Sequence, residues 1–510
     1  MKVTTTDPRD GRQHPTDLVE TDESGVAAIV GRASRAAQWL SDLGRTGRAG
    51  LLDAVAAALE SRRADLVATA EAETGLGQAR LDSELTRAAV QFRMFAAVLR
   101  DGGYLEAAID HAADTPLGPG PDVRRMLVPL GPVAVFGASN FPFAFSVAGG
   151  DTASALAAGC PTVAKAHPSH PLTSRASADA IESAVRDLGG PDGVLTAVYG
   201  ERAGRWLVRQ PAIRAAALTG SVGAARAIQA AIDERADPIP LYAELSSVNP
   251  IVVLPDAAAG RGDQIADGLF ASFTASGGQL CTKPGLAFLP ADRAGDRLVD
   301  TLRGKVASAG GQVLLNQRIR DAYKSGAAAL EKAGARLVAQ PRIDAEAGFT
   351  VAPTLLEVDL PGLTAEIADE CFGPLLVVVR YHDVADLDAA LATVPPSLTG
   401  SVHRGQGDDA DAVRRLVDVL AARCGRIVFD GYPTGVRVSW AQHHGGPWPS
   451  TNAVHTSVGA TSIRRFLRPL AWQNAPEWIL PEELRDEYTA IPRRVDGRLV
   501  PGTESHREGC

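Results

Sequence analysis

Residues 133–165 read VAVFGASNFPFAFSVAGGDTASALAAGCPTVAK. Val133–Gly137 is a short apolar run closed by glycine. A helix-like run follows to Ala158, and Pro161–Lys165 is a second short β-branched run. Runs of four to eight apolar residues bounded by Gly and Pro read as buried strands, and their alternation with helices reads as βαβ units around a parallel sheet. The rhythm continues outward. A helix is expected over 171–188, strands over 194–199, 215–219 and 241–245, and helices over 203–209 and 221–234. The fold class that follows is α/β, with a Rossmann-like unit. Upstream, Leu51, Val55 and Leu59 recur at helical spacing, as do Leu85, Ala89, Phe92 and Ala96. Residues 1–20 read as a polar lead-in, and the Gly/Pro-rich stretch 101–125 as an excursion or hairpin. A second α/β region runs from Asn249 to Phe429, with strands at 286–289 and 375–380, followed by a less regular tail from Trp440.

The chain has 510 residues, long enough for several domains. Hydrophobic residues make up 45% and charged ones 22%, which excludes general disorder. A net charge of −9 argues against nucleic acid as the main partner. Residues 126–150 carry no charge, yet Pro129, Gly131, Pro132, Gly137 and Pro142 interrupt them, so no membrane span is expected there. The first residues hold no apolar signal segment, and the five cysteines (Cys160, Cys281, Cys371, Cys424, Cys510) are odd in number and scattered. Neither a disulfide framework nor a metal site is expected, and a reducing cytoplasmic compartment is the default.

Six short segments carry candidate chemistry. Gly277-Gly278-Gln279-Leu280-Cys281-Thr282 places a cysteine after a flexible pair, where a thiol can be exposed and activated; a packing cysteine fits the same hexapeptide. Glu244 ends an apolar strand before Leu245-Ser246-Ser247-Val248-Asn249-Pro250, where a carboxylate can serve as a general base or simply as a cap. Asn140, in Ser139-Asn140-Phe141-Pro142, can offer an amide to an oxyanion or shape a turn. Thr219-Gly220-Ser221 leads from strand to helix, where free N–H groups can receive a pyrophosphate, although the spacing is not G-x-G-x-x-G. Lys165 ends a strand before Ala166-His167-Pro168, and Glu370-Cys371-Phe372-Gly373-Pro374 forms an acidic-aromatic turn.

In this order, with Glu244 lying 37 residues before Cys281, the segments resemble the aldehyde dehydrogenase superfamily from about Gly25 to Glu483. The Ser246-Ser247-Val248 and Ala166-His167-Pro168 variants look like the group that oxidises 2,5-dioxovalerate (α-ketoglutarate semialdehyde) and the related fatty-aldehyde enzymes. The tail segments 431–436, 444–449, 456–459 and 464–469 resemble the former group. The resemblance implies a cofactor-binding domain over 20–245, interrupted by an oligomerisation hairpin near 105–130. A catalytic domain over 246–440 and a C-terminal segment over 441–510, returning to the cofactor domain and the oligomer interface, complete it.

It further implies that Cys281 is the nucleophile, Asn140 and the Cys281 N–H the oxyanion donors, and Glu244 the base for water. Lys165 and His167 would lie at the adenosine ribose, Gly220 and Ser221 near the pyrophosphate, and Glu370 and Phe372 at the nicotinamide ribose. Pro168 stands where strictly NAD-linked relatives carry an acid, so NADP is expected, with NAD possible. Ala224 and Ala225 replace common glycines, and Leu218 a common Phe. Arg437 stands where an acid is usual, and Arg93 and Arg437 are candidates for a substrate carboxylate. A homo-oligomer, a dimer or a tetramer, acting on a small aldehyde is implied. A broad-specificity or fatty-aldehyde dehydrogenase using NADP is the enzyme alternative, and a catalytically silent structural protein the alternative of another class.

Overall fold

The computed structural model describes residues 1–343 and 347–503; Cys510 lies outside the described residues. The opening segment is not a lead-in: β1 (Lys2–Thr6) and β2 (Gln13–Val19) pair as an antiparallel hairpin. Its residues are almost wholly polar, so no apolar alternation marks it as strand. Four helices follow: α1 (Glu23–Asp42), α2 (Gly44–Ser61), α3 (Arg63–Thr74) and α4 (Gln78–Asp101). The leucine stripe of α2 and the Leu85–Phe92–Phe95 stripe of α4 are fully buried in one core, which spares their apolar surface from water. Gly102 ends α4 at φ +74, and a Cβ there would lie 2.1 Å from Ile491 Cγ2, so only glycine fits.

The excursion contains β3 (Ala108–Asp110), the hairpin β4 (Ala113–Thr115) and β5 (Gly118–Gly120), and β6 (Val123–Pro129). Then comes the first parallel sheet: β7 (Val133–Phe136), β8 (Thr162–Lys165), β9 (Leu195–Val198), β10 (Ala215–Thr219) and β11 (Leu241–Glu244), in spatial order β11-β10-β7-β8-β9. Its crossover helices are α5 (Gly150–Ala158), α6 (Pro171–Asp187), α7 (Glu201–Arg209) and α8 (Val222–Asp233). Pro171 opens α6 with its preset φ, and Ser221 caps α8 by accepting from Ala224 N. The strands step one way from β7 to β9 and the other way from β10 to β11. The switch point therefore falls between β7 and β10, where ligands bind in open α/β sheets.

The second sheet begins seven residues after Glu244. Its strands are β12 (Ile251–Val253), β13 (Leu286–Pro290), β15 (Arg336–Ala339), β17 (Thr354–Asp359), β18 (Leu375–Tyr381), β19 (Ser397–His403) and β20 (Cys424–Phe429), all parallel except β15. The two-residue strands β14 (Gln312–Val313) and β16 (Thr350–Val351) form a separate pair. The Pro-bearing β21 (Leu467–Gln473) pairs with β6, and β22 (Arg493–Val495) with β3. No helix among the described residues is long and apolar enough to cross a membrane.

Candidate active site

All five strands of the first sheet run the same way, so their carboxyl ends share one edge. Along it stand Glu244 (end of β11), Gly220 and Ser221 (after β10), Asn140 (after β7), and Lys165 and His167 (at and after β8). Cys281 reaches the same crevice from the opposite direction. It precedes β13, as Glu370 and Phe372 precede β18, so the amino ends of the second sheet face the carboxyl ends of the first.

Cys281 is held by its neighbours' backbone bonds. Gly277 and Gly278 both take φ +66, and a Cβ on Gly278 would lie 2.2 Å from Gly373 C and O. The buried Lys283 Nζ donates to Cys371 O and Leu375 O at 3.0 and 3.1 Å, tying the nucleophile loop to the Glu370–Pro374 turn. Asn249, at φ +54, donates through Nδ2 to Cys281 O and Lys283 O at 2.9 and 3.0 Å. Asn140 Nδ2 donates to Gln279 O at 2.8 Å, which seats its amide against the same loop.

The Asn140 loop is in turn held by one face of α4. Arg80, Glu84, Arg87 and Gln91 fall at helical spacing. Arg80 Nη2 donates to Asn140 O at 2.7 Å. Glu84 Oε1 accepts from Phe143 N and Ala144 N at 2.8 and 3.0 Å, and Gln91 Nε2 donates to Ala144 O at 3.2 Å. Burial raises the Glu84 pKa, and Arg80 with the two amides opposes that rise.

His444 is a site residue to which the sequence pattern assigns no role. Residues 450–452 dock on the edge of β11, with Asn452 Oδ1 accepting from Ala243 N at 2.8 Å and Thr451 bridging Glu244. This docking brings His444 and Ser457 onto the carboxylate. His444 Nε2 lies 2.8 Å from Glu244 Oε1 and 3.4 Å from Cys281 Sγ, and Ser457 Oγ donates to Glu244 Oε2 at 2.5 Å. The three donor atoms of Glu244, Cys281 and His444 lie within 4.8 Å of one another. The one available signal, the His pair before Gly445-Gly446, carries no spacing that ties it to Glu244.

Burial raises the Glu244 pKa, but His444, Ser457 and Cys281 together outweigh it and leave the carboxyl below its ordinary value. Cys281 is pushed well above the thiol range by burial first and Glu244 second, with Arg87 opposing. At rest this pair is therefore a carboxylate beside a thiol. With Glu244 ionised, its Oε1 calls for the proton of His444 on Nε2.

At the far end of the edge, burial lowers the Lys165 pKa, while Glu201 raises it. His167 is held well below its ordinary value by burial, then by His170, Lys165 and Arg318. It is neutral near pH 7, and its Nδ1 accepts from Ser169 N at 3.1 Å. Pro168 and Ser221 are exposed. Glu370 is raised by burial, with Lys283, Ser246 and the Ser247 N–H opposing, and Phe372 is half-buried beside it. The two candidate cations differ in their surroundings. Of these, Arg93 is engaged elsewhere, in a bidentate pair with Glu60 at 2.5 and 2.7 Å, and Arg437 is exposed.

A half-buried cysteine, a depressed carboxylate and a histidine at the switch-point edge of a parallel sheet define a thiol-dependent oxidoreductase or acyl-transfer site. The chain belongs to the aldehyde dehydrogenase family, whose sequence profile matches residues 2–467. It is 44% identical over 492 residues to alpha-ketoglutaric semialdehyde dehydrogenase 2 of Azospirillum brasilense, covering 93% of each chain. It is 40% identical to alpha-ketoglutaric semialdehyde dehydrogenase of Acinetobacter baylyi, over 89% of this chain and 87% of that one. Among solved structures it resembles proline utilization A of Bradyrhizobium japonicum (TM-score 0.77, 26% identity), covering 89% of this chain. It spans 45% of that longer protein. It shares its fold with an NADP dependent enzyme of E. coli (TM-score 0.77, 22% identity, 93% and 94% covered). Enzymes of the family act on aldehydes with NAD or NADP.

Proposed function

We propose that the chain oxidises α-ketoglutarate semialdehyde (2,5-dioxopentanoate) to 2-oxoglutarate through a cysteine thioester. The observation that carries the reading is the Cys281–His444–Glu244 contact at the switch-point edge, in a chain 44% identical to a relative named for that substrate. In this reading the Cys281 thiol gives its proton to Glu244, and the His444 Nε2–H turns towards the sulfur as charge develops on it. The thiolate attacks the aldehyde carbon. The Asn140 amide and the Cys281 N–H stabilise the oxyanion, a kind of contact whose loss costs about 10²–10³ in kcat. The nicotinamide cofactor supplies the hydride acceptor. The acyl group remains on sulfur as a thioester until Glu244, ionised again, takes a proton from water. That water adds to the carbonyl carbon, and collapse releases the acid and the thiolate.

The donor set fits a dinucleotide. Exposed Ser221 opens α8, whose first N–H groups suit a pyrophosphate. Lys165 stands where β7, β8 and α7 pack closely: a Cβ on Gly204 would lie 2.8 Å from Phe136 Cε1 and 3.7 Å from Lys165 Cγ. Gly220 would lie near the pyrophosphate, and Glu370 and Phe372 at the nicotinamide ribose. Our reading of the cofactor is NADP, with NAD also used. Lys165 and Arg318 are the cations of that corner, neutral His167 offers only a hydrogen bond, and Pro168 removes a repelling acid.

The domain division over 20–245, 246–440 and 441–510 is supported by the two sheets, which lie within 133–244 and 251–429. A homo-oligomer is supported by exposed Leu117, Trp478 and Leu499 on the excursion and tail. A reducing cytoplasm suits the free thiols Cys160, Cys281, Cys371 and Cys424. The test is formation of reduced cofactor from the semialdehyde with NADP and with NAD. Turnover lost in Cys281→Ala is expected. Equal inertness of wild type and Cys281→Ala across an aldehyde panel overturns the enzyme reading, and a kcat/KM for NAD at least tenfold above NADP overturns the cofactor reading.

A further inference from the structure

The α4 stripe that grips the Asn140 loop contains one member with no hydrogen bond to it. Arg80, Glu84 and Gln91 each hydrogen-bond the loop or each other, but the buried Nε and Nη2 of Arg87, between them, have no hydrogen-bond partner. A guanidinium has no acceptor capacity and cannot shed its charge, so two idle buried donors leave a real desolvation cost unanswered. Arg87 lies 5.3 Å over the Phe145 ring, and that ring is 6.5 Å from His444. It is close enough to Cys281 and Glu244 to interact with both electrostatically. Among the described residues no carboxylate pairs with it directly: Glu84 is committed to Arg80 and two amides.

A second guanidinium in reach of Cys281 shows the same idle donor. Arg426 sits on β20 beside Thr399 of β19, and its Nη2 donates to Pro433 O at 2.7 Å. Its buried Nε has no partner, and Cys281 again acts on it electrostatically. Two elements distant in sequence thus hold guanidiniums with unpaired N–H groups within electrostatic reach of one nucleophile.

We propose that Arg87, with Arg426 as second donor, is the receptor for the carboxylate of a carboxylate-bearing aldehyde, holding the substrate by its charged end while Cys281 takes the other. A guanidinium matches a carboxylate in planar, charge-assisted geometry, and the 2-oxo group of a 2-oxo acid adds an acceptor for a further N–H. An uncharged aldehyde leaves the Arg87 Nε and Nη2 and the Arg426 Nε unpaired. Selectivity against it then comes from unpaired donors as well as from attraction to the anion. The inference rests on the substrate reading above and deepens it by naming the groups that recognise the acid.

The test compares kcat/KM of the full-length protein for α-ketoglutarate semialdehyde, succinate semialdehyde and pentanal in wild type, Arg87→Met, Arg87→Lys and Arg426→Met. Because Arg87 also acts on the thiol, the readout is the ratio of charged to uncharged substrate. Arg87→Met should lower that ratio at least tenfold, chiefly through KM. Arg87→Lys should restore part of it, and Arg426→Met should lower it less. An unchanged ratio in Arg87→Met, with α-ketoglutarate semialdehyde still oxidised, overturns the receptor and leaves the substrate reading standing. Oxidation of succinate semialdehyde but not α-ketoglutarate semialdehyde, with the Arg87 dependence intact, overturns the substrate reading and leaves the receptor. Should Arg87→Met fail to fold, wild type alone decides. Glutarate should compete with pentanal and slow alkylation of Cys281, whereas pentanamide should not, and equal behaviour of the two overturns the proposal.

Discussion

His444 Nε2 lies 2.8 Å from Glu244 Oε1 across a sequence separation of 200 residues, and both side chains are only 1% exposed. The same nitrogen is 3.4 Å from Cys281 Sγ, so one proton position couples nucleophile and base. His444→Gln should therefore lower kcat by about 10²-fold, the lower end of what a positioned acid–base group contributes, with little change in cofactor affinity. Steady-state kinetics with a cofactor titration checks this; an unchanged kcat removes His444 from the chemistry.

Burial and then Glu244 raise the Cys281 pKa in the resting protein. Alkylation of Cys281 by iodoacetamide, without cofactor, should climb only above the ordinary thiol value of about 8.5. In Glu244→Gln the like charge is gone, so the rise should begin at lower pH. Mass-spectrometric alkylation rates against pH measure both profiles.

Ser457 donates to Glu244 Oε2, one of the contacts that outweigh burial and keep the carboxyl low. Ser457→Ala removes that support, so the Glu244 pKa should rise and the acid limb of the kcat profile should move to higher pH. The linked stability has a definite sign. A depressed carboxyl stabilises the fold above its unfolded pKa and loses that contribution as pH falls through its folded pKa. Ser457→Ala should therefore carry a smaller contribution and have lost it completely at a higher pH than wild type.

Glu84 is buried and accepts two amide hydrogens as well as Arg80. Glu84→Ala leaves those donors and the guanidinium unpaired, at a cost of about 3 kcal/mol in chemical denaturation, as for a broken buried ion pair. Because the same face of α4 positions Asn140, kcat should fall as well.

Asn249 joins the β11–β12 connection to the nucleophile loop through Cys281 O and Lys283 O. Asn249→Ala should cost about 2–3 kcal/mol, from the lost hydrogen bonds and from a Cβ-bearing residue without the asparagine side chain at φ +54. Lower kcat with near-normal cofactor binding is expected, read by denaturation and turnover.

Much of the first sheet is legible in local pattern. The strands around Val133, Thr162, Leu195, Ala215 and Leu241 fall within one or two residues of where short apolar runs between Gly and Pro predict them. Those runs are buried on both faces, so their composition carries the signal. The β1–β2 hairpin has no such signal, because its residues are polar and half-exposed. The sequence reading offers Arg93 and not Arg87 as a carboxylate ligand, since composition does not say which side of α4 faces the crevice. The helix phase does: Arg87 continues the Arg80–Glu84–Gln91 stripe, while Arg93 turns to Glu60.

By itself the sequence determined the α/β alternation, the order of the motifs and the residue types able to do thiol chemistry, because these depend on local pattern and on which side chains ionise. Only the tertiary structure decided that the amino ends of the second sheet meet the carboxyl ends of the first. It also decided that the tail lays His444 and Ser457 on Glu244, and that Arg87 and Arg426 come within electrostatic reach of Cys281 with unpaired donors. Contacts between residues this far apart are set by how the sheets and the tail dock, and docking is a property of packed surfaces that no local stretch of sequence encodes.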